Sequence, residues 1–180
     1  MLVAPMISRL QCARDLKQIL QVALADVVAL LGAERGNVQL LDAGGRLVIV
    51  AQLGLSREFL TVFRRVELHE GSVCARAASE RKIVFVPDVE KDPEFSPYLD
   101  IARKIPFRSV LSSPTFTTDG RPIGMISVHS ENLFRPTPVE LETVSRYSRE
   151  LANSVFAHLR LKDRYQVAES LSAEVLAAAK

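Results

Sequence analysis

The sequence predicts an α/β domain built on an antiparallel sheet, and three observations carry that expectation. Two pairs of β-rich segments are each joined by a short glycine-bearing turn, at Asp42-Ala43-Gly44-Gly45 and at Asp119-Gly120. Amphipathic helical stripes stand near both ends of the chain. Between the hairpins, shorter helices are marked by their own capping residues. At 180 residues the chain is long enough for one domain with a sizeable core, and a single domain over 1–180 is expected.

The elements follow in order. From Asp15 to Leu31 the residues Leu16, Ile19, Leu20, Ala23, Val27, Leu30 and Leu31 recur at three and four, which is one helical stripe, and Gly32 ends it. Strands are expected at 37–41 and 47–52 around the first turn. Ser56 caps a short helix that turns Phe59 and Phe63 inward and closes on Arg64 and Arg65, and 66–70 is a crossing. Ser72 caps the next helix, whose Ala75, Ala77 and Ala78 allow close packing before Arg81 and Lys82 end it. A buried strand is expected at 83–86. Pro87 and Pro93 then bracket a loop bearing Asp88, Glu90 and Asp92, and Pro97 starts a short helix through Lys104. Strands at 110–117 and 123–129 flank Asp119-Gly120, the firmest hairpin signal in the chain. Thr137, Pro138 and Glu140 spell a capping box. With no breaker from Val139 to Lys180, one helix of roughly 60 Å is expected, reaching beyond the domain. Its overhanging stripe, Leu161, Tyr165, Ala168, Leu171 and Val175, calls for a partner surface, so the sequence predicts a homodimer through 15–31 and 138–176.

The totals exclude several classes. Lys plus Arg number 23 against 21 Asp plus Glu, too balanced a charge for an electrostatic footprint on nucleic acid or an acidic membrane. No apolar run is long enough to span a bilayer, and the first residues lack a signal-peptide pattern, so a soluble, cytoplasmic protein is expected. Cys12 and Cys74 are expected to be free thiols. No Ser-His-Asp order, P-loop or dinucleotide fingerprint occurs.

The run GSVCARAASERKIVFVPDVEKDPEF followed by RSVLSSPTFTTDGRPIGMISVHS resembles the GAF domain, a small-molecule-sensing module of signalling proteins. Gly71, Val73-Cys74, Ala77, Asp88-Val89, Asp92-Pro93, Phe95, Arg108-Ser109-Val110, Pro114, Gly120 and Gly124 carry the likeness, over roughly 12–160, with 161–180 a helical extension. The resemblance implies a central antiparallel sheet of five or six strands, the terminal helices on one face, and the 56–104 helices and loops covering a ligand pocket on the other. It also implies a sensory role in a signal-transduction protein such as a two-component histidine kinase, with the signal leaving by the C-terminal helix. Ending within that helix, the chain is expected to be a fragment of a longer protein or a stand-alone sensor.

Alternation along 125–129 puts Ser127 and His129 on one strand face, and Val110, Ser112 and Pro114 share a face of the neighbouring strand. By the resemblance these faces look into the pocket. The candidate ligand contacts are therefore Val110, Ser112, Ser127 and His129, joined by Tyr98, Asp88 and Arg108. His129 is either such a contact or a solvent-exposed strand-end residue. Asp88 and Asp92 are expected to cap turns rather than hold a metal, and Arg108 either pairs with that acidic loop or anchors an anion. No catalytic residue, metal site or covalent cofactor is expected, and the ligand is an unknown small molecule. A bilin-type thioether needs a cysteine where this chain has Leu99. Val73-Cys74 is similar to the helix start of GAF-like free methionine-R-sulfoxide reductases, but no further cysteine follows to resolve an oxidised Cys74. The competing expectations are that enzyme and a ligand-free dimerisation module whose own side chains fill the pocket.

Overall fold

The computed structural model describes residues 3–159 and 161–179, with the backbone alone for 161–165. Its centre is a six-stranded antiparallel sheet in the order β3-β2-β1-β6-β5-β4. The strands are β1 (Arg35–Leu41), β2 (Leu47–Leu53), β3 (Arg65–Val66), β4 (Val84–Val86), β5 (Ser109–Phe116) and β6 (Pro122–Ser130). Both hairpins form where the turn residues place them. Asp42 is buried and its carboxylate accepts hydrogen bonds from the amides of Gly44 (2.8 Å) and Arg46 (2.9 Å), so the side chain itself folds the β1–β2 turn. At the β5–β6 turn Gly120 takes φ +82° and its amide donates to the Thr117 carbonyl at 2.9 Å. The segment after Phe63, expected as a crossing, pairs Val66 with Leu47 and becomes the sixth strand.

Helices α1 (Val3–Gln11), α2 (Leu16–Leu31) and α6 (Pro138–His158) cover one face of the sheet. The stripe of α2 packs with Val144, Leu151 and Val155 of α6 over Val38, Leu111, Ile126 and Val128. The Tyr147 hydroxyl donates to Asp26 at 2.7 Å, and Asp26 pairs with Arg9 at 2.6 Å, tying the three helices together. Thr137 and Glu140 form both halves of the expected capping box. The sequence pattern did not announce α1, which has Pro5 in its first turn, where a missing amide costs nothing.

The other face is covered by α3 (Arg57–Phe63), α4 (Val73–Glu80), two 3₁₀ turns at Val89–Lys91 and Pro93–Tyr98, and α5 (Leu99–Lys104). Ser56 and Ser72 cap α3 and α4 as expected. Pro97 starts no helix, lying inside the second 3₁₀ turn instead. Strand β4 is shorter than expected, and Val84 and Phe85 are only half-buried.

The single helix expected over 139–180 is corrected to two. Leu159 leaves helical geometry at φ −124°, ψ 121°, and α7 (Leu161–Ala178) packs back on β2. The physical cause is tertiary. Strand β3 pairs only with the first residues of β2, leaving Val50 to Leu53 without an outer strand, and α7 covers that margin. Ala168 and Ser172 are fully buried there and Leu171 is half-buried. Most of the stripe expected to meet a second copy is thus used within one chain; Leu161 and Tyr165 lie outside the described side chains. No helix among the described residues is long and apolar enough to cross a membrane.

Candidate ligand-binding site

Strands β1, β6 and β5 lie side by side at the centre of the sheet, and their alternating residues build a polar floor on the α3–α5 side. Asn37 pairs with Ser127, and Ser127 with Ser112, so three polar residues form one row across three strands. One step along, Arg35, His129 and Val110 form the next row, and one step the other way Gln39 faces Met125. The Ser112 and Ser127 hydroxyls share a hydrogen bond of 2.8 Å. Close strand packing here depends on Gly124, where a Cβ would stand 1.9 Å from the Gln39 carbonyl oxygen.

The walls are aromatic. Phe59 and Phe63 come from α3, Phe95 from the second 3₁₀ turn, Phe107 from the chain entering β5, and Val73 and Cys74 from the start of α4. Asp92 sets Phe95 in place by accepting from the amides of Glu94 (2.9 Å) and Phe95 (3.2 Å) while pairing with Arg76 at 2.8 Å. Floor and walls surround a hollow of ≈ 30 Å³, room for about two waters.

His129 is buried, with 5% of its surface exposed, which removes the solvent-exposed alternative. The rings of Phe59 and Phe107 stand edge-on to it, each 5.1 Å away. Burial lowers its pKa to about 3, with the nearby charge of Arg35 adding to the effect. The imidazole is therefore neutral at neutral pH. Three buried atoms at this floor have no hydrogen-bond partner in the protein: Asn37 Oδ1, Gln39 Oε1 and His129 Nδ1. Asn37 and Gln39 are 3% and 2% exposed. Native interiors rarely leave such groups unpaired, because each forfeits its hydration without recompense.

Of the sequence candidates, Val110, Ser112, Ser127 and His129 meet in this cavity. Tyr98 does not line it: it stands behind the wall, 5.2 Å from the Phe63 ring and 5.5 Å from Phe95, with its hydroxyl 3.3 Å from Glu70. Asp88 and Arg108 are also outside. Arg108 grips Asp88 with two hydrogen bonds of 3.1 and 2.8 Å, and Asp88 accepts from the Glu90 amide at 3.2 Å. That pairing holds the Asp88 carboxyl below its ordinary pKa, and the pair closes a loop outside the cavity. Asn37 and Gln39 are absent from the sequence candidates, although Asn37-Val38-Gln39-Leu40 alternates polar with apolar and so signals one polar face.

Cys74 keeps partial exposure as a residue, yet its thiol lines the cavity, 3.4 Å from the Ser72 hydroxyl. Burial pushes its pKa up, against the smaller opposing influence of Ser72. It is held as a neutral thiol, the weaker form for nucleophilic chemistry. Cys12 is a free, exposed thiol. Among the described residues no group of three His, Cys, Asp or Glu is placed to hold a metal ion.

The profile of the GAF domain family matches residues 15–155. The chain belongs to the GAF domain family. A search of curated proteins finds no match. Among solved structures, this GAF domain is similar to the GAF domain of a phosphoenolpyruvate-protein phosphotransferase from Coxiella burnetii, with TM-score 0.76 and 17% identity over 90% of this chain and 94% of that one. It is also similar to free methionine-R-sulfoxide reductase from Neisseria meningitidis in complex with its substrate, with TM-score 0.68 and 21% identity over 94% and 89% of the two chains. A third is a domain assigned to a two-component sensor histidine kinase of Sinorhizobium meliloti 1021, with TM-score 0.66 and 18% identity over 85% and 99%. At these identities the likeness carries the fold and no activity.

Proposed function

We propose that this GAF domain is a sensory module of a signal-transduction protein that binds a small molecule, without turning it over, in the cavity between the sheet and α3. The observation that carries this reading is the set of three unpaired polar atoms, on Asn37, Gln39 and His129, around one aromatic-walled hollow. The cavity as it stands has room for only about two waters, so a metabolite enters only as a wall moves outward. Two routes lead from such a movement to the helices. On β5, Ser112 faces the cavity while the adjacent Ser113 bonds Ser148 of α6 at 2.9 Å across the sheet. At the end of α3, which carries Phe59 and Phe63, Arg64 donates to Ser172 of α7 at 3.0 Å and Arg65 pairs with Glu169. A groove of ≈ 170 Å³ between α2, β2 and α7 leaves α7 incompletely seated, which suits an element that shifts on occupancy.

The output in this reading is a histidine kinase or another signalling domain reached through the C-terminal helices, in a cytoplasmic protein. The expected pairing of two copies through 15–31 and 138–176 is part of the proposal, and it requires α7 to leave β2, because Ala168 is otherwise buried and Leu171 half-buried against the domain. Native mass spectrometry of the freshly purified chain, followed by a thermal-shift screen of nucleotides, keto acids, amino acids and tetrapyrroles, tests the reading. A retained or stabilising small molecule, with loss of the effect in Asn37→Leu, is expected. No retained molecule and no stabilising compound overturn it and favour a ligand-free scaffold.

A further inference from the structure

We infer that the cavity takes a small uncharged molecule of the carboxamide or urea class, bound through its amide group to Asn37, Gln39 and the Ser112–Ser127 pair. The inference rests on the reading that this cavity is the ligand site, and it adds the chemistry of the occupant.

Charge is the first constraint. None of the residues lining the cavity is ionised at neutral pH: the floor is amide, hydroxyl and neutral imidazole, and the walls are phenylalanine, valine and a neutral thiol. Arg35, opposite His129 on β1, pairs with Glu131 and donates to the Pro106 carbonyl at 3.0 Å, and Arg76 on α4 pairs with Asp92 and Glu94. A carboxylate or ammonium entering this space would leave water with no counter-charge to meet it, which strongly disfavours both.

Hydrogen-bond polarity is the second. The unpaired atoms of Asn37 and Gln39 belong to side-chain amides, each of which carries a donor beside an acceptor, so an occupant that presents the complementary pair meets both groups. Of the two serine hydroxyls that share one bond, one proton remains for an outside acceptor, so the occupant must also accept. A primary amide does both within one planar group and matches side-chain amides in either orientation. The His129 nitrogen adds a donor or an acceptor according to its tautomer.

Size is the third. Asn37 and Gln39 are two residues apart on one strand and His129 lies diagonal to Asn37 on the next, separations of roughly 7 Å at the backbone. With ≈ 30 Å³ open between them, the polar tips have room for a group of only a few heavy atoms, and any apolar remainder needs the wall of Phe59 and Phe107 to move outward.

The test is a titration of the ¹⁵N-labelled whole chain with three near-isosteric probes: propionamide, propionate and propylammonium, followed by heteronuclear NMR. Propionamide is expected to give saturable shifts at Asn37, Gln39 and Ser127, with affinity at least tenfold above either ion, and Gln39→Leu to weaken it at least fivefold. Equal or tighter binding of an ion overturns the inference. So does the absence of a saturable response to propionamide, which would mean that water alone meets these groups. The wild-type probe series stands even where the variant fails to fold. An ionic metabolite found retained in the purified chain would refute the carboxamide class while leaving the sensory reading intact. A failure of every compound, in this series and in the screen above, refutes both.

Discussion

Lowering the pH should destabilise this protein well before its carboxylates begin to titrate, and His129 is the reason. Its folded pKa is lowered to about 3 from an ordinary value of 6.5. The neutral ring is therefore the form that the fold accepts. Stability is fully present above pH 6.5 and is lost as pH falls from there toward the folded value, because only the unfolded chain binds the proton in that window. Each unit of separation is worth ~1.4 kcal/mol, so at about pH 4.5, two units below the unfolded pKa, the loss reaches ~3 kcal/mol. Asp42, Asp88, Asp119 and Glu58 also have lowered pKa values; the aspartate contributions disappear mainly below about pH 4, and that of the exposed Glu58, lost from about its ordinary 4.5 downward, is common to the wild type and the His129→Phe variant and cancels between them. The assay is urea denaturation in steps from about pH 7.5 to 4.5 on the wild type and on His129→Phe, which keeps a ring between Phe59 and Phe107. The wild type should lose ~3 kcal/mol more than the variant. Parallel curves, or an NMR titration of the folded His129 ring near its ordinary value, would refute the reasoning.

Gly124→Ala should cost ~3 kcal/mol or more in urea denaturation, because its Cβ would meet backbone atoms of Gln39 and Leu40 that cannot rotate away; a loss under about 1 kcal/mol would show that β1 and β6 separate easily. Arg108→Gln should cost only ~1 kcal/mol, its side chain being 40% exposed, and should leave occupancy of the cavity unchanged; loss of ligand retention would place Arg108 in the site after all. With a thiol reagent at neutral pH, Cys12 should react at once and Cys74 only on unfolding. No turnover of free methionine sulfoxide is expected in the wild type or in Cys74→Ser, and turnover lost in the variant would establish an enzyme.

What the sequence discloses here is what is decided locally. The capping box at Thr137, the caps at Ser56 and Ser72 and the turn at Gly120 depend on residues within four positions of one another, and all form as expected. The polar face of β6 was equally legible, since alternation alone places Ser127 beside His129. Arg108 was legible only as a choice between two partners, and the structure gives it to Asp88. The helix break at Leu159 was not legible. No glycine or proline marks it, and its cause is the unpaired stretch of β2, more than a hundred residues earlier in the chain. Whether Asn37 and Gln39 share a hollow with Ser127 likewise depends on β1 pairing with β6 rather than with β2 alone, a long-range choice that no window of sequence contains.

The placement of α7 along β2 also shields a row of backbone donors and acceptors that would otherwise offer themselves to any extended peptide. A chain shortened to residue 159 would carry that row bare. Such a truncated protein should self-associate by strand addition at its open margin, a mode of assembly unrelated to signalling, so its oligomeric state would be a misleading guide to that of the intact chain.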